Sequence, residues 1–434
     1  MLSSGSTRFV LLTAGVGAGL VVGPAAQAAG FYLQEQSARA VGRAFSGEGA
    51  DTGPESLWWN PASIAGEAGP SAYVGVSGIL PSGTVTDTGT VIVRPGQAPA
   101  GVGGEPIAHD PLSSGALPSG AVAVPIGHQF ALGFAVTSPF SFTTQYDDQS
   151  WTRYSALRTR LRTFDLQPSL AFTPIPLLRL GVALNAERSD ATLSNALPNL
   201  LAVLPDGSET LTGNGWNYGW SAGAQFVQGP VTLGLSYRSS IKHTLGGQVA
   251  VAGLLGPLAP QNGTIATSAS FRTPWQVIVG ARVRATSRLT LDAQAVRLGW
   301  SEFGAIQLGQ PINAALPENY RDSWSVAAGF DYALQQDLTL RGGIQYDETP
   351  TVDGQRDARV PDASRINFGA GATWQATHAF SLDLGLAYTH FDDASIDRPT
   401  AAFVGTPVQT PILTSGRLTG AHAFVISSGV KFQF

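Results

Sequence analysis

A two-residue alternation of large apolar with small or polar side chains constrains this chain more than any other feature. It recurs from about residue 70 to the last residue. Phe380, Leu382, Leu384, Leu386 and Tyr388 fall on one face, while Ser381, Asp383, Gly385, Ala387 and Thr389 fall on the other. Trp324, Val326, Ala328, Phe330 and Tyr332 repeat the pattern, as do Val231, Leu233, Leu235 and Tyr237, and the chain ends on Val430, Phe432 and Phe434. Successive side chains of a strand point to opposite faces, so each segment reads as a strand with one apolar side. That side must be covered, either by a second sheet or by lipid.

Connection lengths decide between the two. Fourteen strands are expected near 72–80, 119–127, 129–138, 159–174, 177–190, 214–228, 231–245, 264–285, 288–308, 321–333, 337–347, 364–376, 379–391 and 416–434. Long connections alternate with short ones throughout; Gly127-His128, Gln228-Gly229-Pro230 and Thr377-His378 are among the short ones. An even strand count, with tight turns at one end and long loops at the other, marks a transmembrane β-barrel of the outer-membrane type. Closure removes free edges and satisfies every backbone group in lipid. The expected fold class is therefore an all-β membrane protein, a 14-stranded antiparallel transmembrane β-barrel, surrounded by outer-membrane lipids. It is expected to be a monomer.

The N-terminus supports this placement. Arg8, the apolar stretch Phe9 to Gly23 and Ala26-Gln27-Ala28 have the layout of a secretion signal, with cleavage after Ala28. Residues 1–28 are thus expected to be a signal peptide, 29–70 a separate N-terminal element and 71–434 the barrel. The N-terminal element includes Gly42-Arg43-Ala44-Phe45-Ser46-Gly47-Glu48-Gly49-Ala50 and Asn60-Pro61-Ala62. It is too glycine-rich for a long helix and too irregular for a strand, so it is expected to lie enclosed by the barrel.

Several function classes are excluded or weakened. A net charge of −5 without a basic patch argues against nucleic acid. The absence of cysteine removes thiolate metal sites and disulfides. No histidine cluster, His-Glu-x-x-His or phosphate-binding loop is present, so neither a metal nor a cofactor is expected. His390 with Asp392 and Asp393 is the one arrangement that could suggest a barrel-borne lipid hydrolase, and spacing alone does not establish it; a solvated rim cluster is the simpler reading. Two long connections are unusually apolar, 196–204 and 249–259. Leu197, Leu200, Leu201, Leu204, Leu254 and Leu255 there could line a binding groove, or the two loops could simply cap each other.

The N-terminal run Gly42 to Ala50, Asn60-Pro61-Ala62, Tyr237-Arg238-Ser239 and Pro361-Asp362 with Arg365 together resemble the FadL/TodX family of outer-membrane transporters for long-chain fatty acids and other hydrophobic compounds. The resemblance implies that residues 29–70 form a hatch of short helices plugging the lumen, with Gly42, Arg43, Gly47, Glu48, Gly49, Asn60, Pro61 and Ala62 as its signature. It implies an apolar loop groove, an internal pocket touched by Phe31, and release sideways through a break in strand 3 at Ser138 and Pro139. Where the family carries a glycine near that break, this chain reads Ser138-Pro139-Phe140-Ser141. The implied partner is a long-chain fatty acid or another hydrophobic small molecule. An uptake channel for uncharged or aromatic hydrocarbons and a general porin are the alternatives. No Arg or Lys matches the family's carboxylate-binding positions; Arg188, Lys242 and Arg321 are nearby candidates.

Overall fold

The computed structural model describes residues 30–434, so the expected signal peptide lies outside the described residues. Fourteen antiparallel strands close into one barrel. They are β1 (Ser71–Asp87), β2 (Gly115–Ile126), β3 (Phe130–Thr137), β4 (Arg158–Ile175), β5 (Leu178–Leu197), β6 (Gly207–Gln228) and β7 (Val231–Arg238, resuming as Lys242–Ala252). Then come β8 (Gly263–Arg272 and Trp275–Arg284), β9 (Leu289–Gly299), β10 (Ser323–Ala333), β11 (Leu338–Asp347), β12 (Arg365–Thr377), β13 (Phe380–Phe391) and β14 (Thr410–Gln433). Ser71 pairs with Gln433 and Asp87 with Gly416, which joins β14 to β1 and leaves the sheet without an edge.

The alternation read from sequence is the lipid–lumen alternation. Leu384 and Leu386 of β13 point outward, while Asp383 is buried inside and faces Arg341 of β11 at 3.7 Å. Val182, Leu184, Leu235, Val279 and Ile426 continue the outward apolar band. Among the described residues no helix is long and apolar enough to cross a membrane; the strands do so.

Several strands run further at the long-loop end than the sequence suggests. β14 begins at Thr410 rather than near 416, because Ala394–Ala402, expected as loop, pairs with it from Ala402↔Thr410 to Ala394↔Leu418. β5 and β6 likewise pair out to Leu197↔Gly207. These extensions lack one consistently apolar face, so periodicity alone does not find them; cross-strand pairing supplies the order instead.

Residues 30–66 fill the lumen. They form one short helix, α1 (Ala38–Gly42), capped by the Ser37 hydroxyl, and 3-10 turns at Glu48–Ala50, Pro54–Ser56 and Pro61–Gly66. Chain direction reverses after α1 through Ala44 and Phe45, both in the left-handed region, at φ 49° and 65°. The element sits against the wall through glycine. A Cβ on Gly343 of β11 would lie 2.0 Å from the Arg43 carbonyl oxygen, and one on Gly234 of β7 would lie 1.9 Å from that of Gly49. Backbone thus meets backbone where any side chain would hold the two apart.

Candidate functional site

Three features line up inside the barrel: an outer groove, an inner aromatic pocket, and an interruption in the wall. The groove opens among the long loops, with a volume of about 440 Å³, and Leu197, Val251, Leu316, Phe403 and Val404 are among its lining residues. Below it lies a smaller cavity of about 60 Å³, lined by Phe31, Phe142, Leu161, Phe271, Phe303 and Val360 among others. Leu193, Glu318 and Arg359 belong to the walls of both, so they form the neck between them.

The pocket is built on rings. Phe31 has ring centroids of Trp300 at 4.8 Å, Phe303 at 5.1 Å, Phe142 at 5.6 Å and Phe140 at 6.0 Å around it. Trp300 and Phe303 come from a short turn after β9, and Phe140 and Phe142 from the interruption after β3. Aromatic contacts of this kind gain from edge-to-face geometry as well as from burial.

The neck carries charge of both signs. Arg398 pairs with Asp357 at 2.8 Å and with Glu318 at 3.2 Å. Burial raises the Asp357 carboxyl, but Arg398 and Arg359 outweigh it and hold it below the usual carboxylate range. Burial raises Glu318, opposed by Arg398. Burial also lowers the Arg359 guanidinium, whose Nη2 donates to Asn195 Oδ1 at 3.0 Å and whose Nε lies 3.9 Å from Asp357. Among the described residues Arg359 has only that long ion pair, so it is the cation in the neck most able to accept a new anion.

The interruption lies in β3. Below it β2 and β3 are paired from Ile126↔Phe130 to Gly120↔Val136. Above it Leu112 bridges Thr144, and the Ser113 amide donates to the Thr143 carbonyl at 3.0 Å. Between them, residues 115–119 of β2 pair with β1 but have no ladder on β3 among the described residues. Proline at 139 has no amide hydrogen to offer such a ladder. On the β4 side, side chains replace the missing bonds: Thr163 Oγ1 accepts from the Phe140 amide at 3.0 Å, and Ser141 Oγ accepts from the Thr163 amide at 3.1 Å.

On the lumen side the chain's own N-terminal segment covers the interruption. Tyr32 forms a bridge with Phe140, and the Leu33 amide donates to the Pro139 carbonyl at 2.8 Å. Gln36 Nε2 donates to the Ser138 carbonyl at 3.1 Å, while its Oε1 accepts from the Ser138 amide at 3.3 Å. The opposite side of the segment is held by Gln34, which accepts from Gln345 at 3.0 Å, and by the Gly30 amide, which donates to Asp362 at 2.9 Å.

Behind this segment Arg43 and Glu48 of the hatch signature lie in one buried ion-pair cluster, and the glycines, Pro61 and Ala62 pack against the wall. Arg43 pairs with Glu48, with Asp51 at 2.6 Å, with Asp331 at 3.3 Å and with Asp292 at 4.0 Å, tying the plug to β9 and β10. Gly47 takes φ 73°. Gly42 sits against Gly371, and Gly49 against Ile278 and Gly280. Asn60 caps the Pro61–Gly66 turn by accepting from the Ala62 amide at 2.9 Å, and donates to the Gly49 carbonyl at 2.6 Å. Pro61 and Ala62 lie against Gly181 of β5.

The apolar loop candidates divide. Leu197 lines the groove. Leu254 is buried with Leu197 and Leu258, and Leu200 packs against that cluster. Leu201 and Leu255 point outward into solvent, and Leu204 is half-buried. Among the basic candidates, Arg188 donates to Asn214 at an exposed position, Lys242 is exposed, and Arg321 pairs with Glu348 at 3.0 Å. None of the three lines the groove or the pocket. His390 is exposed, and Asp393 pairs with Arg417 at 3.3 Å on the rim. Among the described residues no group of three or more His, Asp or Glu is placed to hold a metal. Sequence reasoning missed Arg359, Glu318, Gln36 and the ring set around Trp300. Arg359 stands two residues before the Pro361-Asp362 signature, the nearest thing to a signal for it.

Comparison with known proteins places the geometry. Residues 19–434 match the profile of the family described as outer membrane protein transport protein (OMPP1/FadL/TodX). A long-chain fatty acid transport protein of Escherichia coli O6:H1 is 27% identical over 402 residues, covering 84% of this chain and 87% of the relative. Outer membrane protein P1 of Haemophilus influenzae is 26% identical over 465 residues, covering 96% and 97%. Among solved structures, a Pseudomonas aeruginosa FadL homologue has a TM-score of 0.81 at 23% identity, covering 94% of this chain and all of that one. The Ralstonia pickettii toluene transporter TbuX has a TM-score of 0.62 at 17% identity, covering 92% and 98%.

Proposed function

Because the chain belongs to the outer membrane protein transport protein family and is a Gram-negative outer-membrane barrel, we propose that it carries hydrophobic molecules, most of all long-chain fatty acids, passively inward. Cargo enters the loop groove, passes the neck into the ring-lined pocket, and leaves sideways through the interruption in β3. The hatch of residues 29–70 keeps the lumen plugged, and the segment around Phe31 is its movable part. Relatives named as fatty-acid and as toluene transporters bracket the cargo class.

One observation carries the reading. Phe31 lines the pocket, and the residues that follow it, Tyr32, Leu33 and Gln36, are bonded to the open stretch of β3. A ligand that displaces the Phe31 ring therefore pulls on the seal. Burial of hydrocarbon contributes about 0.8 kcal/mol per CH₂, so capture needs no energy input, but a pocket that never changes would retain its cargo. Arg359 in the neck favours a carboxylate head over an uncharged hydrocarbon. The FadL/TodX-type relatives are transporters rather than enzymes, and no catalytic role is assigned to His390.

Phe31→Ala tests this. Oleate uptake into cells should fall severalfold while folded barrel reaches the outer membrane in normal amount. Uptake equal to that of the parent by a correctly assembled variant would sink the proposal. Toluene uptake compared in parallel separates the two cargo classes, and Arg359→Met should lower oleate uptake and leave toluene uptake unchanged.

A further inference from the structure

The long-loop end has an outer surface that extends beyond the groove. Three loop stretches meet there, and none of them carries a charge: there is no Asp, Glu, Lys or Arg at 196–205, at 243–271 or at 399–416, charge resuming at Asp206, Asp397 and Arg398. The neighbouring connection at 348–364 is opposite in character, with Glu348, Asp353, Arg356, Asp357, Arg359 and Asp362. The uncharged loops are fixed rather than loose. Asn199 donates to the Gly253 carbonyl at 3.1 Å and accepts from the Leu255 amide at 2.9 Å, and Leu197, Leu254 and Leu258 form a small core beneath. Above that core, apolar side chains face water: Leu201 is 54% exposed, Val203 89%, Leu255 41% and Val404 72%.

Such a display on an otherwise hydrated cell surface marks an interaction site. Leu254 and Leu258 already cap the loops from within, so the outward set is not needed to close them. The patch is continuous with the groove, because Val404 belongs to its lining and Phe403 packs on the Leu254 core. The bordering charges Asp206, Asp397 and Arg398 are already engaged, Asp206 with Arg153 at 3.0 Å, Asp397 with the Ser415 hydroxyl at 2.9 Å and Arg398 with Asp357 at 2.8 Å, so the face offers little to an ionic protein surface or to anionic head groups.

We propose that this apex is a docking face for the surface of a neutral lipid aggregate, from which cargo slides into the groove without crossing water. The proposal rests on the transport reading and adds where cargo is collected. A membrane-facing contact of this kind needs only a few inserted apolar side chains beside a polar neighbourhood, as interfacial anchors do.

The test is flotation of nanodisc-embedded protein with phosphatidylcholine vesicles, empty nanodiscs serving as the blank. The protein should float with the vesicles equally at low and at high salt. Leu201→Ser, Val203→Ser and Leu255→Ser together should lower the bound fraction at least tenfold. Val203→Ser alone, at the most exposed of these positions, should lower it about threefold and guards against misassembly of the triple variant. Unchanged flotation of both variants, flotation that salt abolishes, or self-association of the protein in place of vesicle binding would each overturn the proposal. No cargo is present in the assay. Absence of oleate uptake by the parent protein, with flotation intact, would therefore count against the transport reading alone.

Discussion

Replacing Gln36 with alanine isolates the seal from the pocket. Gln36 makes three hydrogen bonds through its amide: to the Leu33 carbonyl at 3.1 Å, to the Ser138 carbonyl at 3.1 Å and from the Ser138 amide at 3.3 Å. All three are buried, and Gln36 is not among the residues that line the pocket. Two of the three cross to Ser138, so at about 1 kcal/mol net per bond closure of the segment over β3 loses about 2 kcal/mol, before any added cost of stranding the Ser138 backbone groups. Since 1.4 kcal/mol is a factor of ten, the open population should rise about thirtyfold. Amide hydrogen exchange on the protein in nanodiscs reads this directly. The amides of Leu33 and Ser138 should lose protection by about that factor, while those of the β1–β14 ladder keep theirs. If Leu33 and Ser138 remain as protected as in the parent, the N-terminal segment is not what closes the interruption.

The seat of the hatch and the chemistry of one buried acid give two further expectations. Gly343→Ala places a Cβ against the Arg43 carbonyl, where only backbone could yield, and should destabilise hatch docking by about 1–3 kcal/mol; limited trypsin digestion at Arg39 and Arg43 should then accelerate while the barrel stays intact, and unchanged digestion would refute the seating. Glu35 is buried beside Gln36, and burial pushes its carboxyl up from 4.5 to about 7. A folded pKa above the unfolded one means the native state prefers the protonated acid, so the penalty is absent below about pH 4.5, grows through the interval and is complete above about pH 7, at about 3 kcal/mol. Glu35→Gln should therefore raise protection of the N-terminal amides at pH 8 and leave it unchanged at pH 4; equal effects at both values would contradict this.

The barrel was legible because a membrane imposes a rule on every strand, lipid outside and lumen inside, and that rule is written as alternation in β13 and β10. Strand ends were less legible. Beyond the bilayer nothing requires an apolar face, and Ala394–Ala402 is a strand only because β14 lies beside it. The hatch signature was visible as glycine and charge, yet the reason for the glycines lies on the other partner: a Cβ on Gly42 would meet the Gly371 backbone, and one on Gly49 the Ile278 side chain. The neck was the least legible part. Arg359, Glu318 and Arg398 are far apart in sequence, and only loop packing brings them together, whereas Arg188 and Lys242 sit on strands whose positions were easy to read and lie away from both cavities. The apolar loops combined two roles that composition could not separate, Leu254 in a small core and Leu201 in solvent.

On the proposed route, movement of the N-terminal segment away from β3 opens the way out. The chain contains no cysteine, so one introduced pair gives one bond. Tyr32 and Phe140 face each other across an antiparallel bridge, where Cβ atoms come within disulfide reach. A Tyr32→Cys, Phe140→Cys double variant should take up oleate when reduced, lose uptake when oxidised and recover it on adding reductant, with the reduced form controlling for the two lost rings. Undiminished uptake by the fully oxidised protein would show that cargo passes without the segment leaving β3.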